Sequence, residues 1–365
     1  METIIELTRG VPPTKSFPVT QLSICAHDAL AGYPDKILQY SKAYGFLPLR
    51  ECLADTYNAS KDQIIIGTGS LQVLDNLLRS YPAQSLRVAI EEPTYDRTVT
   101  QLKRVQAELV PCPLLPTGVD FSPLKQSIAE GKKIDFFYVI SDFQNPTGSV
   151  MPLEKRQELV ALAKEHKFYI IEDLPYRNLR YNGESLPSCY EMAPKLTCMM
   201  SSFSKLVAPG LRVGFMILPE ELVQRTAKIA EDTYINPSYL DQALVYEFSQ
   251  RGWLSEHLKF LKSLYSQRRD VMVGAMESHL KGLADWTRPD GGFFIGSYVR
   301  QPVEAEILMR HALKHGLKLT DGRGFYTHGG DQFVRLPFCA LEAEQIEIGI
   351  TKLAETLKTY PAKGN

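Results

Sequence analysis

Short runs of β-branched and aromatic residues alternate along the chain with longer stretches in which leucines recur every three or four positions. That alternation predicts an α/β domain built on a mostly parallel sheet, flanked by helices and buried on both faces. The apolar runs place strands at 64–67, 87–91, 107–110, 135–140, 168–172, 197–201 and 213–218. Seven strands make one large sheet by the usual sheet sizes. After the first of them, Leu71, Leu74 and Leu78 fall on one helical face, and Val73 with Leu77 widens the stripe.

Beyond Leu218 the pattern changes. Strands become sparse, and Leu258, Leu261, Tyr265, Met272 and Met276 mark a long helix able to bridge two domains. A strand pair near 293–299 and 333–336 follows, and Ile346, Ile350, Leu353 and Leu357 line one face of a terminal helix. This part reads as a smaller α+β domain. The length of 365 residues agrees with one large and one small domain. No repeat, low-complexity run or long Pro/Gly linker separates them.

Composition narrows the functional classes. Lysine and arginine (41) nearly cancel aspartate and glutamate (42), so the net charge of −1 offers no footprint for nucleic acid or an anionic membrane. The longest apolar runs, such as Phe136 to Ile140, are far too short to span a bilayer, and the N-terminus lacks a basic-then-apolar signal. A soluble, cytoplasmic protein is expected. Six scattered cysteines (Cys25, Cys52, Cys112, Cys189, Cys198 and Cys339) form no CxxC pair and show no zinc spacing, so neither a metal site nor a disulfide framework is indicated.

The chemistry-bearing residues gather where predicted strands end, which is where ligands bind in open α/β sheets. Gly67, Thr68, Gly69 and Ser70 lead from a strand into the leucine-striped helix, either as a capped glycine turn or as backbone donors for a phosphate. Asn145 and Pro146 follow the strand at 135–140, as a turn or as an amide reaching a ligand. The next strand ends in Glu172 and Asp173, with Tyr176 three residues on. Lys205 then sits in a serine-rich loop between two buried strands, three residues after Ser202 and seven before Arg212. Each cluster alone has a plain structural explanation. Together they supply a lysine for a Schiff base, a carboxylate for a pyridinium nitrogen and donors for a phosphate, the set that pyridoxal 5'-phosphate requires.

In order and spacing, NPTG at 145–148, DLPY at 173–176 and SFSKLVAPGLRVG at 202–214 resemble the motifs of fold-type I pyridoxal-phosphate enzymes, the aspartate-aminotransferase-like superfamily. The resemblance runs from residue 7 to about 357. LQYSKAYGFLPLR, EEPTYD, RPDGGFF and GRGFYTHGGDQFVRLPF make the chain most similar to the aminoadipate and kynurenine aminotransferase branch. The resemblance implies a large cofactor domain at 36–259 and a discontinuous small domain at 1–35 and 260–365 that closes over substrate. It implies that Lys205 carries the cofactor as an aldimine and shuttles a proton, that Asp173 pairs with the pyridinium nitrogen, and that Tyr176 and Asn145 hold the ring oxygen. Gly69, Ser70, Leu71, Ser202 and Arg212 would bind the phosphate, Tyr95 would stack on the ring, and Tyr40 would reach the phosphate of the other subunit of a homodimer. Arg335 would take the substrate α-carboxylate as a bidentate pair. Gly10 would be the hinge of a mobile N-terminal strand.

The expected reaction moves an amino group between an L-amino acid and a 2-oxo acid through a carbanion delocalised into the ring. Two alternatives use the same scaffold: a lyase, γ-elimination or cyclisation enzyme or oxidase on a modified amino acid, and a non-catalytic effector module. The second requires a basic DNA-binding domain upstream, and Met1 stands only a few residues before the first motif. Leu71, Asp321 and Tyr44 depart from the family's usual residues at places expected near the pocket, and Glu6, Thr8, Arg9 and His27 are candidates for reading the substrate side chain.

Overall fold

The computed structural model describes residues 4–361. In chain order the strands are β1 (Ile5–Leu7), β2 (Ile64–Thr68), β3 (Arg87–Glu92), β4 (Glu108–Leu115), β5 (Gly118–Val119), β6 (Phe136–Val139) and β7 (Tyr169–Asp173). They continue with β8 (Thr197–Ser202), β9 (Val213–Ile217), β10 (Ala284–Trp286), β11 (Phe294–Val299), β12 (Leu317–Leu319) and β13 (Phe333–Pro337). The central sheet has the order β2-β9-β8-β7-β6-β3-β4-β5. Its middle, from β8 to β4, is parallel, and β9 runs antiparallel to both of its neighbours.

This sheet has eight strands rather than the seven expected. The addition is the two-residue β5, which folds back on β4 through Leu114–Val119 and Leu115–Gly118 pairing and is too short to leave a periodic signal. The third expected strand is also longer than predicted. β4 runs to Leu115 through Pro111 and Pro113, two residues that argue against a strand in sequence but are tolerated near a sheet edge.

Apolar packing covers both faces. Val73, Leu74, Leu77 and Leu78 of helix Ser70–Arg79 are buried against Val88, Ile90 and Met216, while Leu71 at the helix start is only partly buried. On the opposite face Leu159 and Ala163 of helix Leu153–His166 pack with Phe137 and Val139. Truncating one of these buried leucines to alanine costs about 2–5 kcal/mol. The third core joins the chain's ends: Leu7 of β1, Tyr265 and Met272 of helix Trp253–His279, and Ile346, Ile350, Leu353 and Leu357 of helix Ala343–Lys358.

β1 pairs in parallel with β12, and β10, β11 and β13 form a separate antiparallel sheet, so the N-terminal strand is bound to C-terminal elements. Residues 1–3 and 362–365, which the sequence assigns to the small domain, lie outside the described residues. Among the described residues, no helix is long and apolar enough to cross a membrane. All six cysteines are free thiols.

Candidate active site

The parallel strands deliver their last residues to one rim, and a cavity of about 300 Å³ opens there between the central sheet, the N-terminal segment and β11 and β13. Gly69, Ser70, Leu71, Tyr95, Asn145, Asp173, Tyr176, Ser202, Lys205, Arg212, Arg335 and Gly10 all line it. Residues from both ends of the chain and its middle thus share one space. Ser204, which stands within the SFSKLVAPGLRVG motif without a role read from sequence, lines it as well.

One end is built for an anion. Gly69 follows β2 with φ of +84°, and a Cβ there would overlap the Arg212 guanidinium. Glycine is required both by the torsion and by the close approach. Ser70 opens the helix rather than capping it, since Gly69 is the N-cap and makes no side-chain cap. The first N–H groups of the helix therefore face the cavity with the positive end of the helix dipole behind them. Arg212 Nη2 donates to the Thr68 carbonyl at 3.2 Å and Nη1 to Ser204 Oγ at 3.4 Å, which turns the guanidinium toward the same place. Ser204 N–H donates to Ser202 Oγ at 3.1 Å, setting both hydroxyls on the rim.

At the floor lies Asp173, the last residue of β7 and 4% exposed. Tyr138 of β6 donates its hydroxyl to Oδ2 at 2.8 Å, and Oδ1 is buried without a partner. Burial pushes this carboxyl up to about 7, against the Tyr138 hydrogen bond, which lowers it. A buried, half-satisfied carboxylate calls for a cationic N–H donor. Tyr95 and Tyr176 stand on the cavity wall, and Tyr176 is fixed by ring contacts with Phe293 and Phe294 at 5.3 and 5.9 Å.

Lys205 projects from the turn after β8, held by buried Phe203, Leu206 and Val207. Its Nζ donates to the Gly10 carbonyl at 3.1 Å. Burial holds its pKa below the ordinary lysine range, and the Arg335 and Arg212 charges add to that. Arg335, 8% exposed on β13, lies between the rings of Phe294 and Phe325 at 4.6 and 4.7 Å. It donates through Nη1 to Asn145 Oδ1 at 3.0 Å and through Nη2 to the Thr8 carbonyl at 2.8 Å, while Nε has no partner. No carboxylate pairs with it among the described residues. Because Asn145 accepts with its oxygen, its amide N–H₂ is left to donate into the cavity.

A protein-family comparison matches residues 2–353 to the aminotransferase class I and II family. The chain belongs to that family and is an aminotransferase. It is 29% identical to aromatic-amino-acid aminotransferase 1 of Thermococcus litoralis, over 97% of this chain and 88% of that protein. The crystal structure of LysN, the α-aminoadipate aminotransferase of Thermus thermophilus complexed with N-(5'-phosphopyridoxyl)-L-leucine, superposes with TM-score 0.92 at 29% identity, covering 98% of this chain and 92% of that one. The kynurenine aminotransferase of Pyrococcus horikoshii, solved with PMP, gives TM-score 0.93 at 30% identity, covering 98% and 91%. The aminotransferase thus has the aspartate-aminotransferase-like α/β fold of the fold-type I branch.

Several candidate positions do not line this aminotransferase's own cavity, among them Tyr40, whose expected place is the other subunit's site. Tyr40 is 79% exposed and lines no part of its own chain's cavity. His27 is exposed and pairs with its neighbour Asp28 at 2.9 Å, and Glu6 pairs with Lys318 at 3.2 Å, so neither reaches the substrate space. Asp321 caps helix Gly322–Phe325 and binds Arg323, and Tyr44 stacks on Arg50 at 5.2 Å; of the three departures only Leu71 reaches the cavity. Thr8 contributes its carbonyl, and Arg9 lines the mouth. At Gly10 a Cβ would overlap the Phe294 ring, so close approach rather than a positive φ requires glycine there.

Proposed function

We propose that this cavity binds pyridoxal 5'-phosphate and performs the amino-group transfer between an L-amino acid and a 2-oxo acid, with Lys205 as the catalytic base. The unpartnered Oδ1 of Asp173 carries the reading, because a buried carboxylate oxygen at the sheet rim matches a protonated ring nitrogen and little else. The Gly69–Ser70 helix start, Leu71 N–H, Ser202, Ser204 and Arg212 fit the phosphate. Tyr95 fits the ring face, and Tyr176 with the Asn145 amide fits the ring oxygen. When bound, pyridoxal phosphate supplies the electron sink that stabilises negative charge at the α-carbon of the amino acid.

The chain's own groups account for the rest. Arg335 binds the α-carboxylate and so fixes which face of the amino acid meets Lys205. Burial disfavours the charge on Lys205, so it yields its proton more readily than an exposed lysine, which favours the amine form able to take the proton from the α-carbon. Asp173 would accept from a protonated ring nitrogen and so hold its proton in place. Phe293, Phe294 and the strap at Thr8 to Val11 exclude water from around Lys205.

The domain division at 36–259, with 1–35 and 260–365 as the closing part, follows from the same reading, with the strap and Arg335 on the closing side. Exposed Val19, Leu38, Tyr40 and Leu47 support a homodimer in which Tyr40 serves the partner's phosphate.

The test is a half-reaction. Protein reconstituted with pyridoxal phosphate is mixed with single amino acids and no acceptor, and the visible band is followed. Conversion to the pyridoxamine form by wild type, with loss of both the band and the conversion in Lys205→Ala, is expected. Ammonia release in place of conversion would favour an elimination, and normal turnover by Lys205→Ala would remove the assignment.

A further inference from the structure

Two buried polar side chains that the reaction above does not use lie directly behind the cavity. Glu91 of β3 and Gln144, in the turn after β6, are each 1% exposed. Glu91 Oε1 accepts from the Ile140 N–H at 2.8 Å and from Gln144 Nε2 at 3.1 Å. Gln144 Nε2 also donates to the Pro93 carbonyl at 2.7 Å, and its Oε1 accepts from the N–H and the hydroxyl of Thr147 at 2.9 and 2.7 Å. Both hydrogens and the oxygen of this amide are committed.

The bonds end on functional segments. Pro93 is two residues before Tyr95, Ile140 itself lines the cavity, and Gln144 precedes Asn145, the acceptor of Arg335. We propose, resting on the site reading above, that Glu91 is a positioning residue that works as the neutral acid, with Gln144 as its hub, fastening the Tyr95 segment to the Asn145 turn. Neither residue meets substrate. Their effect is on the distance between the ring-stacking phenol and the amide that steers Arg335.

The surroundings require the neutral form. No cation reaches Glu91 among the described residues. The titratable groups around it are Asp173 on β7 and Tyr138 on β6, with Cys112 opposite on β4 and Glu172 one strand further on β7. Glu172 is occupied by Ser141 and the N–H groups of Cys189 and Tyr190, and the Cys112 thiol is pushed up to about 12 by burial. Burial, with the nearby Asp173 charge in the same direction, pushes Glu91 up to about 8, against its two hydrogen bonds. In the cofactor-free protein its proton is therefore lost on the alkaline side of neutrality, and a carboxylate there would face another carboxylate without a counter-ion.

Glutamine is the isostere of the protonated acid, which makes the test selective. In half-reaction pH profiles, Glu91→Gln is expected to stay within about twofold of wild type near pH 7 and to lose a fall in activity that wild type shows on the alkaline side. Glu91→Ala is expected to drop at least about tenfold in the half-reaction rate while still taking up the cofactor. Should Glu91→Ala fail to fold, Gln144→Ala reads the same arm through the same rate and the cofactor band. Loss of activity in Glu91→Gln equal to that in Glu91→Ala, or a wild-type rate in the alanine variants, overturns the proposal. A wild type with no half-reaction would fail the site reading instead, and cofactor affinity of the two Glu91 variants then decides the clamp: equal values overturn it, and weakening in Glu91→Ala alone supports it.

Discussion

Lys205 and Arg335 are cations that burial penalises, and each is held by a backbone carbonyl of the same strap, at Gly10 and Thr8. Carbonyl acceptors are weak partners for full charges, so both groups favour an anionic or covalent partner when one arrives. For Arg335 this predicts that Arg335→Lys, which keeps the charge but not the planar fork, raises KM for the amino acid by about tenfold or more with little change in cofactor binding. Steady-state kinetics with a fixed acceptor measures it. Asp173 gives a pH prediction whose sign follows from its environment. Its pKa is raised in the fold to about 7 from a normal carboxyl value, so the folded state holds a proton that the unfolded chain gives up. The stability of cofactor-free protein should therefore be greatest below about pH 4 as far as this group is concerned and decline to about pH 7, by about 1.4 kcal/mol per unit at most. Denaturant midpoints across that range, compared with Asp173→Asn, test it; an unchanged slope in the variant would exclude Asp173 as the source.

At the level of elements, the cavity exists because parallel strands end together and the antiparallel β9 brings Arg212 back to the start of helix Ser70–Arg79. Gly214 on β9 makes that approach possible, since a Cβ there would overlap the Ser70 backbone nitrogen. Gly214→Ala should displace the helix start and cost about 1–3 kcal/mol, as overpacking does. Gly69→Ala adds the torsional strain of a non-glycine residue at positive φ and crowds Arg212. Both variants are expected to weaken cofactor affinity by about tenfold or more while Lys205 still reacts, which separates phosphate binding from chemistry. Fluorescence titration of the cofactor-free proteins reads the affinity.

For the whole molecule, Val19 (65%), Leu38 (69%) and Tyr40 (79%) are exposed apolar side chains that the proposed homodimer would cover. Sedimentation should show a dimer, and Tyr40→Phe should lower phosphate affinity without dissociating it. A monomer with full activity would remove Tyr40 from the site. The tie of β1 to β12, and of the strap to Arg335 and Lys205, sets Thr8 to Val11 against the cavity.

The sequence by itself determined the α/β class, most strands and the chemical inventory, because buried parallel strands leave continuous apolar runs and the cofactor motifs are local. Lys205, Asp173, Asn145 and the Gly69–Ser70 turn could be picked out as candidates for that reason: each lies at the end of such a run or within a short loop after it. What only the tertiary structure decided depends on distance in space. The two-residue β5 has no period, and β4 carries two prolines, so neither boundary could be read from pattern. Tyr138, Glu91 and Gln144 look like ordinary strand and turn residues until the fold brings them against Asp173, Pro93 and Ile140. Glu6 and His27 are candidates in sequence for reading the substrate side chain, yet the alternation of a strand and the face of a helix turn both to solvent. Periodicity fixes which way a side chain points relative to its own element; which other element it meets is settled only by packing.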